Sequence, residues 1–208
     1  MSGYGVPSNL EASAGWGRTG IYLDVPNWET GLHDWRADSS PSGASERSAG
    51  SPHEMLNRSA RQIRTRVASQ GQIVTARAYG RCYTSNGATG SSKGPTPGLV
   101  AADQEGFEAS VRFVASPQAN KREDVDMPLY RDVADAVYSD RLDTVVVVSG
   151  DGDMTYVAET VKGRGKRCVL MFWPGTESRR LLAIADDFLA LDGLTNSRAS
   201  IKSGLPGV

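Results

Sequence analysis

The sequence predicts an α/β fold, a three-layer sandwich with a mostly parallel central sheet. Three observations carry that expectation. Val145, Val146, Val147 and Val148 form an unbroken β-branched run, too short for an ordinary helix and apolar on both sides, as a strand covered on both faces requires. Directly after it, Met154, Val157, Ala158 and Val161 fall at i, i+3, i+4 and i+7, the stripe of an amphipathic helix. The same alternation of a short apolar run with a helical stripe recurs along the chain, which is the pattern of parallel β-α units.

Residues 1–18 are rich in Gly and Ser and read as a flexible tail able to dock Tyr4 or Trp16. Ile21 to Val25 is the first expected strand, ended by Pro26. Asp24 and Asn27 then sit at its carboxyl end across a tight turn, which such residues often merely stabilise. A Ser/Gly/Pro-rich stretch near 38–52 reads as an insertion without fixed structure. A helix is expected from Pro52 to Ser69, buried along Leu56, Ala60, Ile63 and Val67, with Arg58, Arg61 and Arg64 on an exposed face. Such a row is a solvated surface in most proteins and a nucleic-acid contact in fewer.

Gln72 to Tyr79 alternates like a strand, and a second Ser/Gly/Pro-rich loop follows near 84–98. Phe107 to Ala115 reads as a third strand. Asp126-Met127-Pro128 looks like a helix start with a capping carboxylate, and Leu129, Val133 and Ala136 form that helix's buried stripe. Asp132 falls on the same inward set, so it needs a partner, either a metal or a salt bridge. Lys166 to Trp173 reads as another buried strand, Glu177 to Ala185 as a helix, and Phe188 to Leu191 as a short last strand. A single domain over 19–193, with a second flexible tail at 194–208, accounts for the 208 residues.

The formal net charge is −1, which excludes a generally basic coat, but the charges are unevenly spread. From Met55 to Ala102 there are seven basic residues and no acid, whereas Asp103 to Glu159 holds thirteen acids against five bases. That split can set a basic rim beside an acidic pocket. Cys82 and Cys168, with His33 and His53, have no zinc-type spacing. No run approaches the ~20 apolar residues of a membrane helix. No secretory signal is visible, so a cytoplasmic setting is expected.

Ligands of open α/β sheets bind at the carboxyl ends of the strands. Asp24, Asn27, Asp151 and Asp153 are all expected there, with Asp132 approaching from a helix. Carboxylates this close repel unless a cation compensates them. Hard oxygen donors without His or Cys favour Mg²⁺ or Mn²⁺, and such ions assist phosphoryl transfer or hydrolysis.

The segments IYLDVPNW, KREDVDMPLYRDVADAV and VVVVSGDGDMTYVAETVKGRGKRCVLM resemble the NYN domain, and within the PIN-like nucleases the LabA-like subgroup. ESRRLLAIADDFLAL is similar to that family's closing segment. The resemblance runs from Gly20 to Gly193 and implies a PIN-like fold and a Mg²⁺- or Mn²⁺-dependent ribonuclease acting on single-stranded or structured RNA. By motif, Asp24 and Asn27 match the first acidic strand end, Asp132 the helix carboxylate, and Asp151 and Asp153 the SGDxD pair. Asp126 matches an acid that caps its helix. One ion is then expected between Asp24, Asp132 and Asp151. Asp153 would hold a second ion or the attacking water, and Asn27 would orient a ligand. Arg58, Arg61 and Arg64 would guide the RNA. No membrane partner is expected, and a homodimer is compatible with the sequence. Met154 stands where a Phe is common in the family, and the insertion near 38–52 is atypical.

Two rivals share these residues. Asp151-Gly152-Asp153-Met154-Thr155 also fits the DxDxT of HAD-type phosphotransferases, but nothing after Thr155 supplies that family's later acidic motif. A non-catalytic RNA-binding or regulatory module on the same fold is the other, since fold does not fix function.

Overall fold

A computed structural model describes residues 15–39, 51–84, 93–115, 125–175 and 177–191. The bulk of both Ser/Gly-rich insertions, residues 1–14 of the first tail and the whole of the second lie outside them. The elements are β1 (Arg18–Asp24), α1 (Val25–Ser39), α2 (Pro52–Ala68), β2 (Gln72–Tyr83), β3 (Gly94–Pro95), α3 (Pro97–Gln104) and β4 (Glu108–Val114). They continue with α4 (Asp126–Tyr138), β5 (Thr144–Val148), α5 (Thr155–Gly163), β6 (Arg167–Phe172), α6 (Arg179–Ile184) and β7 (Asp187–Ala190).

The sheet runs β4-β2-β1-β5-β6-β7 and is parallel throughout that order. The two-residue β3 pairs antiparallel with the far end of β2. The valine run explains itself here. Val146 and Val148 pack into the core beneath α1, α2 and α3, while Val145 and Val147 pack into the core beneath α4, α5 and α6. Because β5 is central and covered on both faces, it is apolar after Thr144, whose buried hydroxyl is hydrogen-bonded. The expected three-layer fold is the one observed.

The ends of several elements differ from expectation. β1 begins at Arg18, and Trp16, within the expected tail, is buried. Its N–H donates to the Gln70 carbonyl at 2.8 Å, and its own carbonyl accepts the Thr144 hydroxyl at 2.6 Å. Pro26 does not end the strand in a loop but stands in the first turn of α1, where its missing N–H has no intrahelical acceptor to lose. In the middle of that helix Gly31 is a packing requirement, since a Cβ there would come within 2.5 Å of the Phe172 ring.

β2 continues four residues beyond its expected end, through Gly80 to Tyr83, because Gly80 lets Leu99 of α3 pack against the strand. Helix α3 itself follows a Pro-rich segment that reads as loop. Val125, not Asp126, occupies the N-cap position of α4; Asp126 is in the first turn, where its charge still complements the helix dipole.

Candidate active site at the strand carboxyl ends

β1 and β5 are neighbours at the centre of the sheet, so their carboxyl ends lie side by side. Asp24 closes β1 and is 2 % exposed. Its Oδ1 accepts the Asn27 backbone N–H at 3.3 Å, holding the first turn of α1. Its Oδ2 accepts the Ser149 hydroxyl at 2.9 Å, from the residue just past β5. Ser149 Oγ also lies 3.2 Å from Asn27 Oδ1, which accepts the Gly150 N–H at 2.7 Å. The Asp151 N–H donates back to Ser149 Oγ at 3.2 Å. Asp151 Oδ1 in turn caps a 3₁₀ turn, Gly152–Met154, by accepting the Asp153 N–H at 3.0 Å. Asp24, Asn27 and Asp151 are therefore tied together through one hydroxyl. Ser149 is a candidate site residue that the expected set lacks; its signal in the sequence is a lone small hydroxyl between the valines and the acids.

The start of α6 closes the same edge, since the Ser178 N–H donates to the Gly150 carbonyl at 2.9 Å. The residue before it, Glu177, keeps its Oε2 buried with no hydrogen-bond partner among the described residues. Asp153 is exposed. Cys168 offers no nucleophile, because burial first, and then the nearby Asp186 charge, push its thiol up to about 12.

Asp132 points inward as expected, but into a salt bridge. Arg77 Nη1 donates to its Oδ2 at 2.7 Å and the Tyr79 hydroxyl donates to the same oxygen at 2.9 Å. Arg77 also binds Glu108 at 3.0 Å, and Arg131 approaches Asp132 Oδ1 at 3.4 Å. A cleft of about 400 Å³ opens beside this pair, lined by Arg18, Tyr22, Arg77, Asp132 and Arg141. Among the described residues no group of three or more His, Cys, Asp or Glu side chains is placed to hold a metal ion. The expected grouping of Asp24, Asp132 and Asp151 is thus not formed, because Arg77 already compensates Asp132.

Burial works against the Asp132 carboxylate, but the Tyr79 and Arg77 hydrogen bonds outweigh it and hold the group below its ordinary 3.8. A carboxylate depressed on folding stabilises the protein above its unfolded pKa, and that contribution is lost as pH falls through the folded value. Asp132→Asn is therefore expected to cost about 1–3 kcal/mol near neutral pH. The gap to wild type should close as melts are taken progressively below pH 3.8. A gap independent of pH would show that the charge is not what matters.

The arginine row on α2 is only partly free. Arg61 makes a bidentate pair with Glu105, at 3.0 and 2.7 Å. Arg64 donates to the Gly106 carbonyl at 2.8 Å and stands over the Phe107 ring. Both brace the α3–β4 turn, at the amino end of β4, and Arg58, also exposed, makes no such contact among the described residues.

The donor set suits Mg²⁺ or Mn²⁺ without Asp132. Mg²⁺ is commonly bound by one or two carboxylates, with waters and substrate phosphates completing its shell. Asp24 and Asp151 supply two, and the Ser149 hydroxyl with the Asn27 and Asp153 backbone amides donate to them.

Residues 18–192 match the family model of the NYN domain. The chain belongs to the NYN domain family, which places it in the PIN-like nuclease superfamily. No curated protein matches the chain significantly. A crystal structure of a protein of unknown function from Vibrio parahaemolyticus has the same fold, with a TM-score of 0.59 at 19% identity, covering 89% of this chain and 98% of that one. Among the described residues no helix is long and apolar enough to cross a membrane.

Proposed function

We propose that the chain is a divalent-metal-dependent ribonuclease that hydrolyses RNA phosphodiester bonds at the carboxyl ends of β1 and β5. The observation that carries this reading is the buried Asp24 carboxylate, joined through the Ser149 hydroxyl to the Asp151 turn. Asp24 and Asp151 would hold the Mg²⁺ or Mn²⁺, with Asp153 at the exposed rim. When bound, the ion supplies charge neutralisation at the phosphodiester and a more acidic water. The chain's own residues do the rest. Ser149 fixes the Asp24 carboxylate by donating to one oxygen, while the Asn27 N–H fixes the other. Asn27 Oδ1 anchors the Gly150 amide, so the strand end cannot swing away. Two free thiols suit a cytoplasmic setting.

The second reading, a non-catalytic RNA-binding module, is favoured by one observation, the neutralisation of Asp132 by Arg77. A labelled, partly single-stranded RNA incubated with Mn²⁺, Mg²⁺ or EDTA separates the two. Cutting that needs the metal is expected. Binding without cutting in any metal would leave the module.

A further inference from the structure

We propose that Arg81 and Arg112, with Tyr83 beside them, form the track that binds the RNA backbone next to the acid site; the proposal rests on RNA being the ligand, as in the ribonuclease reading. β2 outruns β1: Asp24, the last residue of β1, pairs in register with Tyr79, and β2 continues to Tyr83. Strand alternation puts Arg77, Tyr79, Arg81 and Tyr83 on one face of β2, the face that Tyr22 shares on β1. Tyr22 and Tyr79 stack there, with ring centroids 6.5 Å apart. The lower half of this row is committed, since Arg77 and Tyr79 hold Asp132. The upper half is not. Arg81 and Tyr83 are partly exposed and lie just beyond the level of Asp24.

The neighbouring strand makes the arrangement informative. The register partner of Arg81 on β4 is Arg112, which is exposed and has no ion pair among the described residues. Two like charges placed directly across from one another destabilise a sheet, so a structural role does not account for the pair. The one acid on that face of β4 is Glu108, and it is bound to Arg77. Arg81 Nε is buried with no acceptor among the described residues. Glu29 lies within electrostatic reach of Arg81, but its carboxylate already accepts the Gly98 N–H. Arg112 without an ion pair among the described residues, and Arg81 facing only a carboxylate that is already hydrogen-bonded, followed on β2 by the partly exposed Tyr83, match how single strands are held: phosphates by cations, bases by aromatic faces. The α2 arginines do not offer this, because α2, which carries Arg58, packs against the opposite face of the sheet from Tyr22 and Tyr79.

The test is binding of a fluorescein-labelled single-stranded RNA to the full chain in EDTA, followed by anisotropy across a KCl series. R81Q, R112Q, the double variant, Y83A and R58Q would be compared with wild type, with melting temperatures confirming that each is folded. Removing one arginine–phosphate pairing should reduce the slope of log K against log salt by about 0.7. The double variant is expected to lose about twice the slope of either single one, Y83A to weaken binding with the slope unchanged, and R58Q to match wild type. R112Q is exposed on an edge strand, so it reports even if Arg81 proves necessary for folding. An unchanged slope in R112Q and the double variant, or no binding by wild type, would overturn the track. If wild type binds through these arginines but cuts nothing in any metal, the track stands and the nuclease reading fails. If it cuts while the variants bind as wild type does, the reverse holds.

Discussion

Asp151→Asn is expected to abolish RNA cleavage, by about a thousandfold or more, and to leave the melting temperature in metal-free buffer within a few degrees of wild type. The size of the loss follows from what a divalent ion contributes, several kcal/mol of charge stabilisation at about 1.4 kcal/mol per factor of ten. The unchanged stability follows from the geometry. Asp151 accepts the Asp153 N–H, and an asparagine carbonyl can accept it equally well, so the 3₁₀ turn keeps its cap. Asp24 is a poorer choice for the same experiment. Both of its oxygens receive donors, Ser149 Oγ and the Asn27 N–H, and an asparagine there would set an NH₂ against one of them. A loss of activity in Asp24→Asn would then mix chemistry with folding. Single-turnover cleavage in Mn²⁺ gives the rate. Melting with and without Mn²⁺ gives an independent readout, since an ion that binds only the folded state raises the wild-type transition and should not raise that of Asp151→Asn. Cleavage by Asp151→Asn at the wild-type rate would remove Asp151 from the site.

What the sequence made legible was local and periodic. The valine run, the Val157-Ala158-Val161 stripe and the Leu56-Ala60-Ile63-Val67 stripe each carry their own period, and each is buried as that period requires. Helix α1 escaped notice because Pro26 reads as the end of the strand and Gly31 is a poor helix former. Their roles depend on what lies elsewhere: a first helical turn for one, and the Phe172 and Trp173 side chains for the other. Helix α3 was hidden in the same way behind Pro95 and Pro97. At the site, the strand-end acids were legible because strand ends are. The partner of Asp132 was not, because Arg77 lies on another strand 55 residues away. Glu105 and Gly106, which engage Arg61 and Arg64, lie 44 and 42 residues from them. The strand alternation of Gln72 to Tyr79 was visible as a pattern, but only the longer β2 and its register with β4 set Arg81 against Arg112.

Trp28→Ala should cost about 3–5 kcal/mol, a larger stability loss than any of the other substitutions. Trp28 is 0 % exposed and lies on α1, one residue past Asn27, among the side chains that fill the core under α1, α2 and α3. Removing the indole leaves a cavity against Trp173 and the central strands, and an interior packed at crystal-like density relaxes only partly into it. The phenylalanine variant separates packing from hydrogen bonding. Trp28 Nε1 is buried without an acceptor among the described residues, so Trp28→Phe removes an unsatisfied donor along with part of the ring. A buried unpaired N–H costs about 1–3 kcal/mol, which offsets much of the lost volume, and Trp28→Phe is expected to melt close to wild type. Trp173→Phe is the opposite case. Its Nε1 donates to the Trp28 carbonyl at 3.1 Å, so the same substitution deletes a bond as well as volume and should be clearly the more damaging. Urea melts of the three variants decide it, and a Trp28→Phe loss equal to that of Trp173→Phe would mean that the Trp28 indole N–H is satisfied in solution. Because Asn27 is positioned by the turn that Trp28 anchors, Trp28→Ala should also lower cleavage at temperatures where it remains folded, through the slackened Asn27–Gly150 contact rather than through any contact of Trp28 with RNA.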